Sequence, residues 1–101
     1  MNSSVRNFLR SQAHPLKPIV MIGKEGLDER IVKAMNEALE SHELVKVKFQ
    51  AFKDELRPLS EQLAERTGSE VVSIIGFIAT FYKASEEHLI HIPRELLRKG
   101  E

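Results

Sequence analysis

Between Pro18 and Phe49 the hydrophobic pattern changes period twice, and few folds accommodate both changes in so short a stretch. Pro18-Ile19-Val20-Met21-Ile22 is a continuous apolar run, the pattern of a strand covered on both faces. After Gly23-Lys24-Glu25-Gly26, the residues Leu27, Ile31, Ala34, Met35, Ala38 and Leu39 recur at helical spacing up to about His42, which predicts an amphipathic helix. From Glu43 the period falls to two. Val45, Val47 and Phe49 alternate with Lys46, Lys48 and Gln50, as in a strand with one buried and one polar face. Leu44 continues the polar register, so that face is expected to be partly covered. Strands joined by a helix are normally parallel neighbours with a right-handed crossover.

The flanking segments extend this unit. Ser4 is read as the cap of a first helix reaching His14, with Val5, Phe8, Leu9 and Ala13 on one side and Arg6 and Arg10 on another. Pro15 and Pro18 end it, because proline cannot continue a helix and biases its predecessor toward extended backbone. Arg57-Pro58 opens a third helix with proline in its first turn; Leu59, Leu63 and Ala64 form its apolar side, and Gly68 is its C-terminal cap. Val71 to Ile75 and Phe77 to Tyr82 are two strands joined at Gly76 in a tight hairpin. In residues 85–101, Leu89, Ile90 and Ile92 would add an edge strand and Arg94–Lys99 a short helix. With 101 residues the chain is expected to form one α/β domain, in the order αβαβαββ, around a four-stranded mixed sheet with helices packed on it. Residues 1–84 form its body and 85–101 a C-terminal extension.

Composition removes several function classes. The absence of cysteine excludes disulfides, thiolate metal sites and thiol catalysis. No apolar run approaches the roughly 18 residues of a membrane span and no signal-peptide core opens the chain, so a cytoplasmic protein without a membrane partner is expected. His88 and His91 lack a third ligand at metal spacing, and no serine or carboxylate is paired with a recognisable catalytic partner. The expectation is a non-enzymatic protein with no cofactor, metal or small-molecule substrate, acting as a monomer.

The formal net charge is zero, yet the charges are not evenly spread. Residues 1–24 hold Arg6, Arg10, Lys17 and Lys24 without an acid, whereas residues 25–45 hold Glu25, Asp28, Glu29, Glu37, Glu40 and Glu43 against Arg30 and Lys33. Lys46, Lys48 and Lys53 are again free of acids until Asp54. A neutral sum is thus compatible with a basic face and an acidic face. The basic face suits a nucleic-acid backbone; the acidic helices suit, as the alternative, an adaptor that docks on another protein.

Gly23-Lys24-Glu25-Gly26 is the motif closest to chemistry. Glycines there let the chain turn at positive φ and approach a ligand closely, and the start of the next helix offers free N–H groups and partial positive charge. Such a loop can clamp a nucleic-acid backbone, as the GxxG loop of KH domains does, with Lys24 meeting a phosphate. It is too short for a phosphate-binding Walker loop and lacks the third glycine of a dinucleotide fingerprint. Glu25, Asp28 and Glu29 work against an incoming phosphate and in favour of the helix dipole. Lys46 and Lys48 project from one strand face about 7 Å apart, near the phosphate spacing of a nucleic-acid strand. Phe8, Phe49, Phe77 and Phe81 are read as core; Tyr82 is the one aromatic considered for base stacking.

Four ordered segments resemble the CRM domain family (chloroplast RNA splicing and ribosome maturation), particularly its single-domain bacterial YhbY-type members. They are Leu9-Arg10-Ser11-Gln12-Ala13-His14-Pro15-Leu16-Lys17-Pro18, Ile22-Gly23-Lys24-Glu25-Gly26-Leu27, His42-Glu43-Leu44-Val45-Lys46-Val47-Lys48, and Ile75-Gly76 followed by Phe81-Tyr82-Lys83. The resemblance implies an RNA-binding domain similar in fold to the C-terminal domain of bacterial translation initiation factor three. It also implies ribosomal RNA or large-subunit precursor particles as partner. The family's GxxG loop maps onto Gly23 and Gly26 with Lys24 between them, and its basic positions onto Arg10, Lys17, Lys46 and Lys48. Arg6 and His14 are added as RNA-facing candidates from the first helix, and Lys83 stands where the family usually has arginine. Asp28 occupies a position usually held by threonine.

Overall fold

Asn2, not Ser4, opens the first helix. Its side-chain oxygen accepts the Val5 N–H at 2.8 Å while its amide donates to the Leu96 carbonyl at 2.9 Å, so one residue caps the helix and ties it to the far end of the chain. The computed structural model describes residues 1–98. Helix α1 (Ser3–Ala13) is followed by β1 (Val20–Ile22), α2 (Glu29–His42), β2 (Leu44–Phe49), α3 (Leu56–Thr67), the hairpin strands β3 (Glu70–Ile75) and β4 (Ile78–Tyr82), and the short α4 (Arg94–Arg98). Lys99, the expected last residue of that final helix, lies outside the described residues.

The four strands form one mixed sheet in the order β1-β2-β4-β3. Strands β1 and β2 are parallel, with Val20 opposite Val47 and Ile22 opposite Phe49, as the intervening helix requires. The second helical connection does not make parallel neighbours. Strand β4 pairs antiparallel with both β2 and β3, so the returning hairpin strand lies between the two strands that α3 connects. Gly76, at φ +59°, makes the turn that allows this return.

The sheet is the middle layer. On one face α2 and α3 enclose the main core, built from Ile22, Met35, Leu39, Val47, Phe49 and Phe81 with their neighbours. On the other face α1 lays Val5, Leu9 and Ala13 on Leu44 and Val72, which explains why Leu44 interrupts the polar register of its strand. Helix α1 spans only the half of the sheet where β2 begins. Strand β1 is therefore an edge strand open on one side: Val20 and Ile22 are buried, but Met21 is 44% exposed, against the expectation of a strand covered on both faces.

Among the described residues, those after β4 add no strand to the sheet. Their backbone is held instead by Glu43, whose buried carboxylate accepts hydrogen bonds from the Ser85 N–H, the Ser85 hydroxyl, the Leu89 N–H and the Ile90 N–H. The donors a new edge strand would need are taken by a side chain. Ile90, Ile92 and Leu96 then pack, as Phe8 and Tyr82 do, against the cluster that Val5, Leu9 and Ala13 of α1 form with Leu44 and Val72.

Candidate nucleic-acid interface

Strands β1 and β2 run the same way and β4 runs back, so three connections meet at one end of the sheet. These are the Gly23–Asp28 loop, the Gln50–Glu55 loop and the Gly76–Phe77 turn. They are cross-linked: Gln50 donates its N–H to the Ile22 carbonyl at 2.8 Å and Phe49 to the Phe77 carbonyl at 2.8 Å. Ligands of sheets with parallel strands commonly bind where such strands end.

In the glycine loop the Gly26 N–H closes a turn onto the Gly23 carbonyl at 3.0 Å. Gly26 needs to be glycine because its φ is +68°, and the Phe52 ring lies 3.5 Å from where its Cβ would be. Nothing within 4 Å of Gly23 would meet a Cβ there, which leaves its backbone open to close approach from outside. Lys24 and Glu25 are exposed at the tip. The helix start beyond does not have the free N–H groups the sequence predicts: Asp28 caps α2, accepting the Ile31 N–H at 3.0 Å and pairing with Arg30 at 3.0 Å. The Ile31 hydrogen bond first, and Arg30 second, hold the Asp28 carboxyl below its ordinary value. What the loop offers an anion is therefore Lys24 and backbone, with a carboxylate already seated on the helix dipole.

Strand β2 separates its two lysines. Lys48 is exposed on the open half of the sheet, in a row that reads Met21, Lys48, Ile78, Ile75 across the four strands. Lys46 is half-buried, and its ammonium donates to the carbonyls of Leu16 at 3.0 Å and His14 at 3.4 Å. It fastens the end of α1 to the sheet, a structural role that equal spacing on one strand face cannot distinguish from a free cation.

Helix α1 borders the open half. Gln12 lines one cavity with His42 and with Ile90 of the C-terminal segment, on the flank that Phe8 shares; helical geometry then puts Arg6 and Arg10, one turn apart, on the opposite flank. Both are exposed, and Arg10 donates to Asn7 at 3.0 Å. His14 and Lys17 are exposed past the helix end, with Lys17 beside Gln12, Ile19 and His42 at the β1 side. Lys83 lies elsewhere. It follows β4 at the opposite end of the sheet from the glycine loop and donates to the Thr67 carbonyl at 3.0 Å, closing the end of α3. Among the described residues, Arg6, Arg10, Lys24, Lys48 and Lys53 make no ion pair with a carboxylate. The outer surfaces of α2 and α3 carry Glu29, Glu37, Glu40, Glu61 and Glu65 exposed, with Arg30, Lys33, Arg57 and Arg66 among them.

Two aromatic expectations change. Tyr82 is half-buried against α1 and the tail; burial, with Glu43 and Glu70 nearby, pushes its hydroxyl up. Phe77, expected in the core, is in the hairpin turn and 47% exposed, with the Lys53 ammonium 4.6 Å from its ring centroid. Phe52, 40% exposed at φ +55°, is a further exposed aromatic at the same end. Its place between Gln50 and Asp54, in a loop rather than at strand period, was the available sequence signal. His88 and His91 are both exposed, and no group of three metal-ligating side chains gathers among the described residues. No helix among them is long and apolar enough to cross a membrane.

Comparison with known proteins agrees with this architecture. An RNA-binding protein of Haemophilus influenzae is 35% identical over 96 residues, covering 94% of this chain and 97% of its own. The probable RNA-binding protein YqeI of Bacillus subtilis is 38% identical over 84 residues, covering 82% and 88%. The solution structure of the hypothetical protein SAV1595 of Staphylococcus aureus, a candidate RNA-binding protein, superimposes with a TM-score of 0.77 at 38% identity, over 92% of this chain and all of the other. The CRS1/YhbY (CRM) domain model matches residues 1–83, and the chain belongs to that family.

Proposed function

We propose that this protein is a non-catalytic RNA-binding module that holds the backbone of structured ribosomal RNA during assembly of the large ribosomal subunit. The observation that carries this is the open half of the sheet. Lys48 stands there without a carboxylate partner among the described residues, between the Arg6 and Arg10 flank of α1 and the glycine loop with Lys24. The acids of α2 and α3 are on the opposite layer, so zero net charge coexists with a cationic surface. Side chains of this kind meet phosphates and follow the shape of an RNA helix rather than its base edges. The relatives' names favour RNA over other polyanions.

Within this reading Arg6, Arg10, Lys24 and Lys48 contact RNA directly, and Gly23 and Gly26 let the loop backbone approach. His14 and Lys17 extend the surface at the β1 edge. Lys46 and Lys83 act through the positions of α1 and α3.

Gradient sedimentation of cell lysate tests the assignment. The protein is expected with large-subunit precursor particles, and released to the top of the gradient by nuclease. Retention in a nuclease-resistant protein complex would instead support an adaptor docking through the acidic α2 and α3 layer.

A further inference from the structure

Phe77, Phe52 and Lys53 are left over once the backbone-binding cations are accounted for. All three belong to connections at the glycine-loop end of the sheet. Phe77 remains nearly half exposed in a two-residue turn although Lys53 lies over its ring, and Phe52 keeps its ring against Gly26 from a positive-φ backbone. A non-glycine residue at positive φ is uncommon, and several large apolar side chains exposed at one end of a sheet mark a binding surface. Placed in connections at one end of the sheet, the two rings are features that a bound partner would use.

The surrounding residues decide which partner. Met21 and Ile75, 44% and 68% exposed, border the patch, but Lys48 stands between them in the cross-strand row and Lys53 sits on the aromatic. Ile78 stands between Lys48 and Ile75 in that row, so two lysines without a carboxylate partner among the described residues stand amid these apolar side chains, where a protein-docking patch would be depleted of lysine. Glu25, Asp54 and Glu55 are exposed in the adjoining loops and temper the charge without pairing with these lysines. A nucleobase satisfies both parts at once, its face on an aromatic or aliphatic surface and its phosphate on a cation.

Resting on the RNA reading, we propose that the end of the sheet formed by Phe52, Phe77 and Lys53 is a stacking site for unpaired nucleotides next to the helical RNA held by Lys48 and α1. The protein then recognises a helix-to-loop junction rather than duplex alone. Phe77 is the principal platform, and Lys53 meets the phosphate of the nucleotide stacked there.

Equilibrium binding at fixed salt to two RNAs, a perfect duplex and the same duplex carrying a short unpaired internal loop, tests this. The wild-type protein is expected to bind the looped RNA about tenfold more tightly, within what stacking of one base contributes. Phe77→Leu, which keeps an apolar side chain in the turn, should remove most of that preference while leaving duplex affinity unchanged. Lys53→Gln should reduce the preference in part. A wild-type ratio near one, or a ratio unchanged by both substitutions, overturns the stacking site and leaves duplex binding standing. Indifference of both RNAs to Lys48→Glu would instead overturn the RNA surface itself. Self-association of the wild type that Phe77→Leu abolishes would assign the patch to a second copy of the chain and overturn the proposal.

Discussion

Lys46 and Lys48 are two residues apart on one strand, yet their surroundings predict opposite phenotypes. Lys46 donates to two carbonyls at the end of α1 and is half-buried; Lys48 makes no ion pair among the described residues and is exposed. Lys48→Glu is expected to keep the melting temperature within a degree or two while weakening RNA binding at least about tenfold at moderate salt, since it removes one phosphate contact and adds one repulsion. Lys46→Glu should lower stability by about 1–2 kcal/mol, because it removes the ammonium and leaves a carboxylate facing two carbonyl oxygens. Thermal unfolding and fluorescence-anisotropy titration of the two variants separate these effects. Equal losses of binding with equal losses of stability would mean that Lys48 too is structural. Gly26→Ala belongs at this scale as well: at φ +68° a Cβ adds strain of about 1 kcal/mol. It should therefore disturb the loop more than Gly23→Ala, which meets nothing within 4 Å.

Element by element, sequence period revealed most of the fold. It located α2, β2, α3 and the hairpin because their apolar residues recur at one period over several turns or pairs. It missed what depends on partners distant in sequence. An apolar run such as Ile19–Ile22 reads alike whether its second face is covered or open, and only the limited reach of α1 exposes Met21. Gly76 signalled the turn, but nothing local told Phe77 from a strand residue. The glycine loop was legible from its two glycines, whereas capping by Asp28 competed with the anion-site reading and prevailed. Glu43 was invisible for a related reason: as one acid among many it gives no sign that the fold buries it. Burial pushes its carboxyl up, but the Ser85 hydroxyl and the N–H groups of Ser85, Ile90 and Leu89 outweigh that and hold it at about 2. A carboxyl depressed from 4.5 contributes stability that is present above its unfolded value and is lost as pH falls toward the folded one. Docking of the tail should therefore weaken between pH 4.5 and about 2. Hydrogen exchange at the Leu89 and Ile90 amides reads this directly. Glu43→Ala should abolish their protection at neutral pH and lower stability by about 3 kcal/mol, because buried donors lose a charged acceptor.

For the molecule as a whole, the sheet works as a partition. Its α2 and α3 side carries five exposed carboxylates among four cations and encloses the main core, while its α1 side leaves half a face open with Lys48 on it. Glu43 has a part in keeping that division, since the segment it holds packs along one flank of α1 and leaves the Arg6 and Arg10 flank exposed. A protein of zero net charge gains little from long-range attraction to a polyanion, so its binding must come from cations that meet phosphates locally. The salt dependence of binding tests this. If five or six of the cationic positions release counterions, the logarithm of the association constant should fall against the logarithm of salt concentration with a slope of roughly −3 to −5. Lys48→Glu should make the slope shallower by about one. Phe77→Leu should lower affinity for looped RNA without changing the slope, because stacking releases no counterions. A slope near zero in the wild type would mean that the open face does not hold phosphates.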